Sequence, residues 1–387
     1  MSHPLPLQRP SRTDSGNRPY AHAGAAAAIR VMIVDDSLTV RTIFKRMVDS
    51  DAALVIVGTA SSAERAIAQL ADTPADVVLL DLEMPGIGGL EALPAILATP
   101  GNPQVLVVSS LTVDGAEHTL SALQMGAADT LLKPRPGGFT DDYRAQLLGK
   151  IRALGSSRID NVSDSESFVA RPPEPTFVRP GLARRMWRPE VIAIGASTGG
   201  IHALGLMLRQ LARDFDLPLL ITQHLPASFM PVFARQIEAA CGRPADIAED
   251  GLALTPGRIV IAPGHGHIVI RRKGTGSSGL VTRISTEPVT SGCLPSVDPM
   301  LSSLAEACEG RALGVILSGM GRDGVLGAKD LVDAGGTIYA QDADTSAVWG
   351  MPGAVARAGL ASLIAPPDRL GSAVMAQLAA PSAPVLR

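Results

Sequence analysis

Val191-Ile192-Ala193-Ile194-Gly195-Ala196-Ser197-Thr198-Gly199-Gly200 decides the fold of the C-terminal half: a short apolar run, then a serine set among glycines. A buried strand turning sharply into a helix has this pattern. Glycines allow the tight turn without Cβ clashes, so the serine oxygen stands at the carboxyl end of the strand beside helix-start N–H groups. Taken alone, the string admits two readings, a nucleophile elbow or a phosphate-cradling dinucleotide turn.

The next strand decides between them. A dinucleotide site wants an acid at the end of the second strand, about 20 residues after the glycines. Leu217-Pro218-Leu219-Leu220-Ile221-Thr222 instead leads to Gln223-His224-Leu225-Pro226, which offers a base. A nucleotide-dependent oxidoreductase fails at this point, and His224 is placed to take the proton of Ser197. The run Gly314-Val315-Ile316-Leu317 followed by Ser318-Gly319-Met320-Gly321-Arg322-Asp323-Gly324 supplies a carboxylate, Asp323, to orient the imidazole. The order Ser, His, Asp departs from the Ser, Asp/Glu, His order of α/β-hydrolases, so a lipase-type fold is disfavoured.

Nearer the N-terminus, Ile29-Arg30-Val31-Met32-Ile33-Val34 ends in Asp35-Asp36, and Val77-Val78-Leu79-Leu80 ends in Asp81. In an open parallel sheet these acids converge outside the carboxyl ends of the strands. Gathered carboxylates repel unless a cation holds them, and an all-oxygen set suits Mg²⁺. Val105-Leu106-Val107-Val108 leads to Ser109 and Thr130-Leu131-Leu132 to Lys133, a hydroxyl and an ammonium suited to a phosphoryl group. A metal hydrolase on the same acids is the alternative, and the absence of His among them argues against zinc or di-iron.

The blocks around Ser197, Thr222-Gln223-His224 and Gly319 to Gly324, with Ala248-Glu249-Asp250-Gly251, Ile261-Ala262-Pro263-Gly264, Pro295-Ser296-Val297-Asp298 and Gly350-Met351-Pro352, resemble in their order the catalytic domain of chemotaxis protein-glutamate methylesterases, the CheB family. Residues 29 to about 154 resemble a response-regulator receiver domain. The resemblance implies two doubly wound parallel-sheet α/β domains, a flavodoxin-like receiver and a Rossmann-like methylesterase. It implies Asp81 as phospho-acceptor, Asp35, Asp36 and Asp81 with the backbone of Glu83 as the Mg²⁺ site, and Ser109 and Lys133 as sensors of the phosphoryl group.

It also implies hydrolysis of glutamate methyl esters on chemoreceptors, with deamidation of receptor glutamines, by Ser197, His224 and Asp323. N–H groups near Met320 and in the glycine turn at Ser197 are expected to hold the oxyanion. The esterase chemistry calls for no cofactor. A chemotaxis histidine kinase is the implied phosphodonor, and an unphosphorylated receiver is expected to obstruct the site. His267, in one of the shared blocks, is expected along the substrate groove. Leu294 stands where many relatives have arginine, which puts a basic receptor contact there in doubt. A phosphorylation-dependent binding module without catalysis is the competing function, and it would tolerate loss of Ser197.

Composition fits this picture. The 387 residues suffice for two or three domains, and 46% hydrophobic with 3% aromatic content suits sheets of Val, Ile and Leu under helices. A net charge of −3 disfavours nucleic acid as partner. Three scattered cysteines, Cys241, Cys293 and Cys308, read as reduced thiols of a cytoplasmic protein, and no stretch reads as a membrane span or signal peptide. Residues 1–28 are expected to form a disordered tail, 29–154 the receiver, 155–189 a Pro- and Ser-bearing linker and 190–387 the catalytic domain of a monomer. Metal binding at His265 and His267 is disfavoured for want of neighbouring ligands, His202 reads as decoration of its helix, and Gly274 to Gly279 reads as a hairpin tip.

Overall fold

The computed structural model describes residues 28–109, 112–134, 138–164, 188–212, 215–274 and 279–379. The expected tail up to residue 27, Arg184-Arg185 and most of the expected linker lie outside the described residues.

The first unit alternates strand and helix: β1 (Ile29–Val34), α1 (Leu38–Asp49), β2 (Leu54–Ala60), α2 (Ala63–Asp72), β3 (Val77–Asp81), α3 (Gly88–Leu97), β4 (Gln104–Ser109), α4 (Val113–Gln124), β5 (Asp129–Leu132) and α5 (Asp141–Asp164). Its five strands are parallel in the order β2-β1-β3-β4-β5, the flavodoxin-like arrangement. Every residue of β3 is buried, as a strand covered on both faces requires. Side chains cap the helices where the sequence supplies hydroxyls: Ser37 accepts from Val40, Ser62 from Arg65 and Thr112 from Gly115.

The second unit contains β6 (Val191–Ala196), α6 (Gly200–Leu208), β7 (Leu219–Gln223), α7 (Met230–Cys241), β8 (Ala245–Ile247), β9 (Ile259–Ile261), the hairpin β10 (His267–Arg272) and β11 (Leu280–Ser285), α8 (Val297–Ala307), β12 (Ala312–Ile316), α9 (Val325–Asp333), β13 (Thr337–Gln341), α10 (Met351–Arg357), β14 (Leu363–Ala365) and α11 (Pro367–Ala379). Seven parallel strands run β14-β13-β12-β6-β7-β9-β8. With β8 set aside as an edge addition, this is the Rossmann order, and its direction reverses between β6 and β12. The antiparallel hairpin β10–β11 forms a separate two-stranded sheet, and the expected tip, residues 275–278, lies outside the described residues.

The two units meet through α4, which packs on α6 and α7. Leu120, Leu123 and Ala127 of the first belong to the same buried apolar cluster as Ile201, Leu225 and Phe229 of the second. A second seam buries Val348 with Leu131 and Tyr143.

One boundary differs from the sequence expectation. α5 continues to Asp164 through ten residues assigned to the linker. Gly155 would ordinarily weaken a helix there. It is retained because a Cβ at this position would lie 2.4 Å from Ile29 Cγ2, so only glycine lets α5 lie against β1. Gly155→Val is therefore expected to destabilise the first unit by about 1–3 kcal/mol through overpacking. Chemical unfolding of the full chain monitored at the Phe and Tyr residues of that unit measures it, and an unchanged transition would contradict this packing.

Candidate active site

Ser197, His224 and Asp323 follow β6, β7 and β12, three neighbouring strands astride the reversal of the sheet. Parallel strands hold their carboxyl ends level, so residues far apart in the chain meet at one edge. His224 Nδ1 lies 3.1 Å from Ser197 Oγ, and its Nε2 lies 2.8 Å from Asp323 Oδ2. With Nε2–H donating to the carboxylate, Nδ1 has a lone pair for the serine hydroxyl. The ring nitrogens thus serve in the opposite sense to the chymotrypsin arrangement, in which Nε2 faces the serine.

Asp323 is buried, at 1% exposure, and is held from two further directions. Ser296 Oγ donates to its Oδ1 at 2.6 Å and the Val297 N–H to its Oδ2 at 2.7 Å. Burial works against the charged form, but these donors with His224 hold the carboxyl down to about 2. Burial likewise opposes charge on His224; the contacts with Asp323 and Cys293 outweigh it and raise the imidazole to about 9.

Two glycines permit the close approaches. Gly199, at φ 75°, leads into α6, and a Cβ there would meet Ala347 Cβ at 2.5 Å and Ser318 Oγ at 2.7 Å. A Cβ on Gly319 would sit 2.8 Å from Ser197 Cβ.

The oxyanion expectation needs correction in part. The Ser197 N–H donates to the Ser318 carbonyl at 3.0 Å, and Gly200 N–H to the Ser197 carbonyl at 2.8 Å, so these turn donors are engaged within the turn. The N–H of Gly199 donates across the interface to Ala128 of the first unit, at 2.5 Å. Among the described residues, Thr198 N–H and Met320 N–H are two of the loop groups with no protein acceptor, and they are candidate donors.

His267 is also corrected. At 2% exposure it does not line a groove; its Nδ1 accepts from Ser296 N–H at 2.9 Å and its Nε2 donates to the Glu287 carbonyl at 3.1 Å. It fixes the residue that fixes Asp323. Leu294 is 51% exposed beside the site, as is Met320 at 41%.

The first unit closes over this edge. Ala127, Ala128 and Asp129 face Ser197, Gly199 and His224 across a narrow cleft. Asp129 Oδ2 accepts from Thr198 Oγ1 at 2.6 Å and from Lys150 Nζ at 2.5 Å. His202 does more than decorate α6: its Nδ1 lies 2.8 Å from the Gln124 carbonyl. Nothing in the local sequence announces Asp129, Thr198 or His202 as partners, because their pairing depends on how the units dock.

The second candidate site lies at the carboxyl edge of the first sheet. Asp35, Asp36 and Asp81 bring carboxylate oxygens within 4.8 Å of one another. Lys133 Nζ lies 2.6 Å from Asp81 Oδ2 and 3.0 Å from Asp35 Oδ2. Burial, reinforced by Asp35, raises Asp81 despite Lys133, and Asp81 with Asp35 raises Lys133 against its own burial. Among the described residues, Ser109 Oγ is buried without a hydrogen-bond partner, and buried Asp35 Oδ2 has only the Lys133 ammonium beside it. Buried oxygens left short of donors are what an oxygen-loving dication would satisfy, so this donor set fits Mg²⁺. The Glu83 N–H donates to Asp81 Oδ1 at 3.1 Å, and its side chain is not part of the acidic group.

The CheB methylesterase family model matches residues 192–374, and the response regulator receiver model matches 31–138. A protein-glutamate methylesterase/protein-glutamine glutaminase of Azospirillum brasilense is 38% identical over 91% of this chain and 94% of its own length. The chain belongs to the CheB methylesterase family. A Caulobacter vibrioides relative of the same name is 42% identical over 89% of this chain and 97% of its own. The crystal structure of the Thermotoga maritima CheB methylesterase catalytic domain is 30% identical, covers 49% of this chain and 98% of that one, and superposes with a TM-score of 0.46.

The electrostatics of His224 give a direct test. In Asp323→Asn the carboxylate that raises the imidazole is gone while burial remains. Its midpoint is therefore expected to fall below about 9, as read by NMR titration of the ring. A midpoint unchanged by the substitution would show that Asp323 does not govern His224.

Proposed function

We propose that Ser197, His224 and Asp323 hydrolyse glutamate methyl esters on chemoreceptors through an acyl-enzyme, and that they also deamidate selected receptor glutamines. The carrying observation is the continuous contact from Ser197 Oγ through both ring nitrogens of His224 to Asp323. His224 Nδ1 takes the serine proton as Oγ attacks the γ-carbonyl, and Asp323 stabilises the imidazolium through Nε2–H. Thr198 and Met320 N–H groups receive the oxyanion, each such donor contributing on the order of 3 kcal/mol to the barrier. The ring returns its proton to departing methanol, or to ammonia in the deamidation. Water, activated by the same nitrogen, then releases the glutamate. The names of the curated relatives, which pair methylesterase with glutaminase, support both activities.

The division into receiver (29–154), connecting segment (155–189) and catalytic domain (190–387) belongs to the same reading. So does phosphorylation of Asp81 by a chemotaxis kinase. Mg²⁺ at Asp35, Asp36, Asp81 and the Glu83 carbonyl would neutralise charge on the incoming phosphoryl group. Lys133 pairs with that group and Ser109 Oγ donates to it. No helix among the described residues is long and apolar enough to cross a membrane, in keeping with action on the exposed part of a receptor.

β5 couples the two sites. Asp129 at its start holds Thr198, and Lys133, the residue after its end, holds Asp81. These points are about 13 Å apart along one strand. A phosphoryl group that draws Lys133 away from its present partners shifts the strand and loosens the Ala128 and Asp129 contacts, favouring an undocked receiver.

Ser197→Ala should abolish methanol release from methylated receptor membranes, by several orders of magnitude, with the fold intact. Retained release would favour the binding-module reading. As a separate expectation, Asp129→Ala should raise release several-fold without any phosphodonor, and a fragment beginning at Arg188 should match the phosphorylated full-length protein. If neither exceeds the unphosphorylated wild type, occlusion is the wrong mechanism. A small phosphodonor with Mg²⁺ should label the wild type and not Asp81→Asn.

A further inference from the structure

One titratable group at the candidate active site makes and breaks no bond in ester hydrolysis. Cys293 lies in the connection between β11 and α8, half-buried and free of any disulfide. Its Sγ, a ring nitrogen of His224 and a carboxylate oxygen of Asp323 all lie within 4.8 Å of one another. We infer that these three residues form an inhibitory site for a soft divalent cation of the zinc class.

The donor set is one sulfur, one imidazole nitrogen and one carboxylate oxygen, a combination that zinc accepts with a fourth position left to water. In a tetrahedral site with bonds of about 2.0–2.3 Å, ligand atoms stand roughly 3.3–3.7 Å apart. His224 Nε2 and Asp323 Oδ2 are now 2.8 Å apart, so they must open slightly. The sulfur must close by no more than about 1.5 Å, since its limit is 4.8 Å. It is free to do so. Its one recorded contact beyond the cluster is a long approach of 3.8 Å to the Ser291 carbonyl. Asp323 is already fixed from behind by Ser296 Oγ and the Val297 N–H, the kind of support that orients a ligating carboxylate. A thiolate, a carboxylate and a neutral imidazole balance a dication.

The consequence for catalysis follows from proton positions. The nitrogen facing Asp323 is Nε2, so the metal takes the lone pair there, and the ring's remaining proton must sit on Nδ1. Binding releases the Cys293 thiol proton to solvent; when the ring starts as imidazolium, its Nε2 proton is released as well. Nδ1–H then donates to Ser197 Oγ and cannot accept its proton. The serine is silenced without being touched.

This inference relies on the esterase reading for its effect on turnover, whereas metal binding is measured independently of it. Full-length protein in excess Mg²⁺, which saturates the acidic site of the first unit, is titrated with Zn²⁺ against a chromophoric chelator, and separately with Co²⁺. Wild type is expected to bind one Zn²⁺ more than Cys293→Ser and to show a thiolate-to-cobalt charge-transfer band that the variant lacks. Cys241→Ser, which alters a thiol outside the cluster, should behave as wild type. In the esterase assay, Zn²⁺ should inhibit wild type reversibly on chelation. Cys293→Ser should need about 100-fold more Zn²⁺ for the same fractional inhibition of its own zinc-free activity. Equal zinc stoichiometry in wild type and Cys293→Ser, or a charge-transfer band that survives in Cys293→Ser, would overturn the site. Equal zinc sensitivity of their esterase activities would overturn its inhibitory role.

Discussion

A buried carboxylate beneath an imidazole, Asp323 against His224 at 2.8 Å, is the contact on which the catalytic half depends. A charge this far from water is tolerable only with donors around it, and the chain spends Ser296 Oγ, the Val297 N–H and His224 on that task. The start of α8 is thereby tied to the loop after β12, and the hairpin is tied in turn through His267. The side chains around the serine are consequences of satisfying this one group. The same arrangement determines which ring nitrogen faces Ser197 and hence which tautomer the proposed mechanism uses as base.

The first unit applies the same economy to regulation. Lys133 pairs with Asp81 and Asp35 at one end of β5, while Asp129 at the other end engages Lys150 and Thr198. On the proposed reading, a shift at one end of this four-residue strand is carried to the other. The Ala128 carbonyl sits on the Gly199 N–H beside Ser197, so the resting interface occupies polar groups at the mouth of the site as well as covering it. Burial of Leu120 and Leu123 with Ile201 and Phe229 gives this interface an apolar component as well.

Much of this was legible in the sequence because parallel sheets make strand ends equivalent. Ser197, His224 and Asp323, and in the other unit Asp35, Asp81, Ser109 and Lys133, each follow an apolar run, and the architecture brings all such positions to one edge. The roles of Ser296 and His267 were hidden, since their hydrogen bonds cross between a hairpin, a helix start and a strand end. Asp129 and Thr198, 69 positions apart, meet only through domain docking, which has no local signature. The extension of α5 past Gly155 was masked by a glycine whose purpose is visible only against Ile29. Cys293 looked like a scattered thiol until the fold set it beside His224.

The most direct measurement of the central claim is the rate and location of active-site labelling by a fluorophosphonate, which reports the nucleophile without requiring the receptor. Full-length protein with Mg²⁺ should form a single adduct, mapped by mass spectrometry to Ser197, and the labelling rate should rise when a small phosphodonor is added. An adduct on another residue would contradict the Ser197–His224–Asp323 assignment. A Ser197 adduct whose rate ignores the phosphodonor would contradict the coupling through β5.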